Sequence, residues 1–287
     1  MKSRRLLLFV FWLAVAGALA AVTTLPLAAD DRDDHRDHGK DWARECSLRT
    51  LHGRYGIFAQ GTVLATSAHP ALPFVVSGIF TYDGDGSVAG TYNQSVGGGA
   101  STGVTASGTY QVNPDCTYSA VLTLPDNSIV HRAGTITGEG ILQEIHIVYT
   151  DSSSVASGTL KKIRKRPCSL RTLKGPYALF GQGTILPPGA SFPRATAGIL
   201  TFDGEGNFSG EATGNTNGAS AQGSFTGTYA VTPECGVSAE IHVTSGPNTG
   251  LTLDEAGSIT GDEDFKELHD IFTTPGWVFT DTLKKQR

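Results

Sequence analysis

The chain is 287 residues long, with 22 Lys and Arg against 27 Asp and Glu and a formal net charge of −5. An acidic chain repels nucleic acid and anionic membrane at long range, which excludes both as partners. Its four cysteines occur without any Cys-x-x-Cys or Cys-x-x-His spacing, which excludes a zinc site built on them.

Residues 1–29 read as a secretory signal. Lys2, Arg4 and Arg5 form a positive leader, and Leu6 to Val22 is an uninterrupted apolar run. Ala18-Leu19-Ala20 and Leu27-Ala28-Ala29 compete as cleavage sites. The rival reading is an uncleaved anchor, for which a run of 17 residues lies at the short limit of a span. Cleavage after Ala29 leaves 19 cations against 27 anions, a net charge of −8. The mature protein is expected to be secreted or periplasmic and free of the membrane. Residues 30–45 then form an acidic, disordered spacer, too charged to bury an apolar core. His35 and His38 lie within it and are read as solvated rather than as metal ligands.

From Cys46 onward one module is written twice. Cys46-Ser47-Leu48-Arg49-Thr50-Leu51 returns as Cys168-Ser169-Leu170-Arg171-Thr172-Leu173. Asp83-Gly84-Asp85-Gly86 returns as Asp203-Gly204-Glu205-Gly206, and Gly108-Thr109-Tyr110 with Cys116 as Gly227-Thr228-Tyr229 with Cys235. The repeats span 46–165 and 166–287. Short runs rich in Val, Ile, Thr, Tyr and Phe, broken by Gly, Asn-Pro and Asp-Gly, predict strands and almost no helix. In the first repeat they fall near 53–64, 72–82, 87–92, 108–112, 117–124, 128–136, 141–150 and 154–163. The turn residues Asp83, Gly84 and Gly86, like Asp203, Gly204 and Gly206, suit a hairpin better than a calcium loop, which needs six to eight oxygens. About eight consecutive strands with short connections predict two tandem antiparallel up-and-down β-barrels, which leave no open edge; two β-sandwiches are the alternative. Only the pairs Cys46–Cys116 and Cys168–Cys235 keep each repeat self-contained, and each repeat is expected to fold alone.

The repeated Glu-x-His is the one candidate for chemistry. Glu144 and His146 share a strand face, as do Glu267 and His269, and a carboxylate beside an imidazole can move a proton. The opposite face carries Ile145, Ile147 and Tyr149 in the first repeat, and Leu268, Asp270 and Phe272 in the second, where Asp270 breaks the apolar stripe. If the apolar stripe lines the barrel, the Glu-His pairs face water as structural exterior residues. The cations at 161–166 are read as the solvated end of a terminal strand. The Gly-rich run at 96–100 lacks the Gly-Lys-Ser/Thr ending of a phosphate loop, and no Gly-x-Ser-x-Gly or His-Glu-x-x-His occurs.

The joint pattern Cys-Ser-Leu-x-x-Leu-x-Gly-x-Tyr, Asp-Gly-x-Gly and Gly-Thr-Tyr-x-Val-x-Pro-x-Cys resembles a group of exported bacterial tandem-repeat proteins of unassigned function. The resemblance covers nearly all of 46–287 and implies a fold and export, not an activity. The expected architecture is similar to allene oxide cyclase-type and lipocalin-type barrels. That likeness is architectural; the eight-strand count, the apolar inward faces and the lack of a catalytic constellation make the expected function the binding of a small apolar ligand inside the barrels, without catalysis, cofactor or metal. A barrel cyclase or isomerase using a Glu-His pair is the second reading, and a structural or adhesive envelope module the third.

Overall fold

A computed structural model of the chain describes residues 45–262 and 266–286. The expected signal segment 1–29 and all of the spacer but Glu45 lie outside the described residues. No described helix is long and apolar enough to cross a membrane.

Among the described residues, sixteen strands form two closed eight-stranded antiparallel barrels. The first holds β1 (Gly53–Val63), β2 (Leu72–Tyr82), β3 (Ser87–Val96), β4 (Gly99–Val112), β5 (Thr117–Thr123), β6 (Ile129–Thr137), β7 (Glu144–Tyr149) and β8 (Ser154–Lys162). The second holds β9 (Gly175–Ile185), β10 (Phe192–Phe202), β11 (Asn207–Thr216), β12 (Ala219–Val231), β13 (Gly236–Val243), β14 (Thr252–Thr260), β15 (Glu267–Phe272) and β16 (Trp277–Lys285). Every strand pairs with its neighbours in the chain, and β1–β8 and β9–β16 close the two rings. Closure satisfies each backbone edge internally.

The repeated motifs turn out to be turns and plugs. Asp83 Oδ1 accepts from the Asp85 and Ser87 N–H groups, and Asp203 Oδ1 from Glu205 and Asn207. The Gly-rich run is a two-residue hairpin between β3 and β4. Gly97 and Gly98 have φ of +57° and +83°, the positive pair that a tight antiparallel turn requires, and Asn217 and Gly218 repeat it. Leu48–Thr50 forms one turn of 3-10 helix that stops one end of the first barrel. Tyr110 Oη donates to the Leu48 and Leu51 carbonyls, and Tyr229 Oη to those of Leu170 and Leu173. The Cys-Ser-Leu and Gly-Thr-Tyr signatures are thus the two halves of one plug. Disulfides Cys46–Cys116 and Cys168–Cys235 lock it within each repeat.

The barrels pack side against side through different strands. β1–β3 of the first meet β14–β16 of the second. Val75, Ile271 and Val278 form a shared apolar cluster with Leu186 at its rim. Phe58 stacks on His269 at 5.5 Å, Ser77 Oγ donates to the His269 carbonyl at 2.9 Å, and Ser95 Oγ to that of Trp277 at 2.6 Å. The Gly276 N–H donates to the Gly98 carbonyl at 2.8 Å. This contact buries both faces of β15, which a period-two pattern does not anticipate.

Candidate active cavity of the second barrel

Inward positions of the second barrel alternate along β14 (Leu253, Glu255, Gly257, Ile259), β15 (Leu268, Asp270, Phe272) and β16 (Trp277, Phe279, Asp281, Leu283). One carboxyl therefore projects inward from each of three adjacent strands. Asp270 and Asp281 are direct cross-strand partners. All three groups are buried, and carboxyl oxygens from the three lie within 4.8 Å of one another. Like charges this close on a sheet repel strongly. Among the described residues, Glu255 Oε1, Asp270 Oδ1 and Asp281 Oδ1 find no hydrogen-bond partner.

Burial dominates their ionisation. It pushes Glu255 well above the carboxylate range, helped by the charges of Asp270 and Asp281, and it raises Asp270 likewise beside Asp281. Asp281 is raised by burial to about 7, although a hydrogen bond from Glu255 and the nearby Arg194 charge pull it down. Burial and mutual repulsion thus favour the protonated form of these carboxyls. Gly181, facing Asp281 across the β9–β16 pairing, leaves the room that this carboxyl occupies. A Cβ there would lie 1.8 Å from Asp281 Oδ1.

The carboxyls form part of the wall of a cavity of about 440 Å³. Leu200, Ala212, Val237, Phe272, Trp277 and Phe279 supply much of the apolar wall, while Ser245 and Asn248 of the β13–β14 loop mark one end. Arg194 enters from β10, donates from Nη1 to Thr216 Oγ1 at 2.8 Å and lies 5.7 Å from the Trp277 ring centre. The volume suits a small organic molecule. The three carboxyls would also offer three oxygens to a divalent ion, half of what a hard cation takes.

Comparison of the repeats shows how this cavity arises. The first barrel carries Phe80, Tyr92 and Tyr118 where the second carries Leu200, Ala212 and Val237. It carries Arg132, Ile147 and Gly158 where the second carries Glu255, Asp270 and Asp281. Arg132 is buried among rings, with its guanidinium 5.2 Å from the Phe80 and 5.0 Å from the Tyr149 ring centres. One pair of equivalent positions thus holds opposite charges.

The Glu-His pairs behave differently in the two repeats. Glu144 and His146 face outward from β7, with His146 exposed and 3.6 Å from the Glu144 carboxylate. Glu267 and His269 also face outward, yet the expectation that they sit in water is corrected: the first barrel covers them, and His269 is only 7% exposed. Lys161 Nζ lies 2.6 Å from Glu267 Oε2 and 3.2 Å from Glu144 Oε1, and Lys284 Nζ 3.0 Å from Glu267 Oε1. Burial alone would raise the Glu267 carboxyl, but hydrogen bonds from His269, Lys161 and Lys284 hold it well below its usual range. Lys161 is likewise no solvated strand end. The two Glu-His pairs lie outside the cavity wall, so the structure brings together a set of residues that the motifs did not name. The signal for it was Asp270, an acid on the apolar side of its strand; Glu255 and Asp281 carry the same signal on β14 and β16.

The chain matches no family model and no curated protein sequence.

Proposed function

We propose that this is an exported binding protein whose second barrel holds a small amphiphile, with the apolar body against Trp277, Phe272 and Phe279 and a cationic group at Glu255, Asp270 and Asp281. The observation that carries this reading is the cavity whose wall contains three buried carboxyl oxygens without partners. Burying a carboxyl is costly unless a partner compensates it, and an ammonium group supplies charge and hydrogen bonds together. An organic cation accounts for the apolar walls as well, which a bare metal ion would leave unused. Export rests on the apolar N-terminal run and on the two disulfides, which persist in oxidising compartments. The resemblance to exported bacterial repeat proteins agrees with it.

Calorimetric titration with octylamine and 1-octanol tests the proposal. The chain is expected to bind both, the amine at least roughly tenfold tighter, a preference worth about 1.4 kcal/mol. Asp281→Asn should erase the preference and spare the alcohol. Binding of neither molecule would remove the cavity reading, whereas equal binding would reduce it to an apolar site. Because the amine must meet an ionised carboxylate, its affinity should rise as pH passes upward through about 7, the pKa of Asp281.

A further inference from the structure

The contact between the barrels joins non-equivalent faces of equivalent modules. The first barrel presents β1–β3, and the second presents β14–β16, the counterparts of β6–β8. A contact of this head-to-tail kind leaves one copy of each face unused: β6–β8 of the first barrel and β9–β11 of the second. A heterologous contact that does not close on itself can be repeated from molecule to molecule.

Both unused faces keep the apolar and charged centre of the used ones, although Ala195, Ala197 and Asn215 stand where the first barrel has Val75, Ser77 and Ser95. On the second barrel, Phe180 stands where the first has Phe58, and Ile199 where it has Ile79. Both are uncovered, at 54% and 51% exposure, and Ala178, Ala195 and Ala197 extend the same outward face. On the first barrel, His146 stands where the second has His269, Val148 where it has Ile271, and Val155 where it has Val278. Val148 and Val155 are 50% and 65% exposed, although their counterparts form the shared apolar cluster of the internal contact. The charges repeat as well. Lys161 bridges Glu144 and Glu267 inside the chain, and its counterpart Lys284 already holds Glu267 with its own side chain 63% exposed. Exposed large apolar groups clustered on a sheet face mark interaction sites. Here the internal contact shows what fits them.

We infer that the chain self-associates head to tail: the outer face of β9–β10 of one copy, centred on Phe180 and Ile199, receives the outer face of β7–β8 of the next, centred on His146, Val148 and Val155. Phe180 stacks on the next copy's His146 as Phe58 stacks on His269, and Lys284 reaches the next copy's Glu144 as Lys161 reaches Glu267. The repeated Glu-x-His is then an interface signature, used once within the chain and once between chains.

Sedimentation equilibrium of the full chain, with Phe180→Glu and Val148→Glu variants, tests this. Phe180 and Val148 face outward and are exposed, so neither change touches the apolar packing inside the barrels, and circular dichroism melts confirm that both variants fold. The wild type should show an average mass that climbs with concentration past the dimer without a plateau. Each variant alone should stay monomeric, since each loses one of the two faces. An equimolar mixture should stop at the dimer, because each variant supplies the face that the other lacks. A wild type that remains monomeric up to about 1 mM, the weak end of specific association, would overturn the inference. So would a discrete dimer whose mass the mixture does not restore, since that signals a two-fold contact.

Discussion

Asp281 is the residue on which both stability and binding turn. Its pKa is raised from 3.8 to about 7, so the folded state keeps a proton that the unfolded chain gives up. The stability linked to this group is present in full below about 3.8 and is lost progressively as pH rises through about 7. Glu267 has the opposite sign: its depressed pKa stabilises above its unfolded value of about 4.5 and is lost on acidification. The melting temperature should therefore peak at mildly acidic pH and fall toward pH 8. In Asp281→Asn the fall toward pH 8 should flatten; an unchanged slope in thermal melts would place the proton elsewhere. Gly181→Ala should crowd the same carboxyl, cost about 1–3 kcal/mol as an overpacking change and weaken amine binding.

At the scale of the element, β7 and β15 share the pattern Glu-x-His yet live in different surroundings. β7 has one face in its barrel and one in water. β15 has one face in the cavity wall and the other against Phe58, Val75 and Ser77. The same substitution should thus read differently in the two strands. His146→Ala is expected to change stability by less than about 0.5 kcal/mol, as exposed sites do. His269→Ala should cost about 1–2 kcal/mol through lost stacking on Phe58 and lost contact with Glu267. Urea unfolding of the two variants measures the difference directly, and equal losses would mean that the barrel contact adds nothing to β15.

At the scale of the whole molecule, each barrel is closed, plugged and cross-linked within its own repeat, so the fragment 46–165 is expected to unfold cooperatively. Alone, it would expose Phe58, Val75 and Ile79, and fragment 166–287 would expose Ile271 and Val278. Both fragments should therefore unfold at lower urea than the full chain, because three strands of each lose cover. A fragment without a cooperative transition would show that the barrel contact is required for folding. Peptide mapping without reductant should recover only the two disulfides internal to a repeat.

Much of this architecture was legible in the chain itself. Strand count, order and most boundaries follow from period-two alternation and from turn residues such as Asp83-Gly84, whose requirements are local. Pairing of Cys46 with Cys116 follows from the repeat. The end of β3 (93–96) and the first nine residues of β4 (99–107) are not legible in the sequence, because this Gly-, Ser- and Thr-rich stretch has only a weak apolar alternation and becomes strand by pairing across the Gly97-Gly98 turn. What faces the outside of a barrel could not be read as facing water, because period two separates the two faces of a strand but does not say what covers each. His269 and Lys161 were misjudged for that reason. The acid cluster needed closure of the ring: Glu255, Asp270 and Asp281 are scattered over 27 positions in sequence, and only the register of β14, β15 and β16 brings their carboxyls within reach of one another in the wall of one cavity.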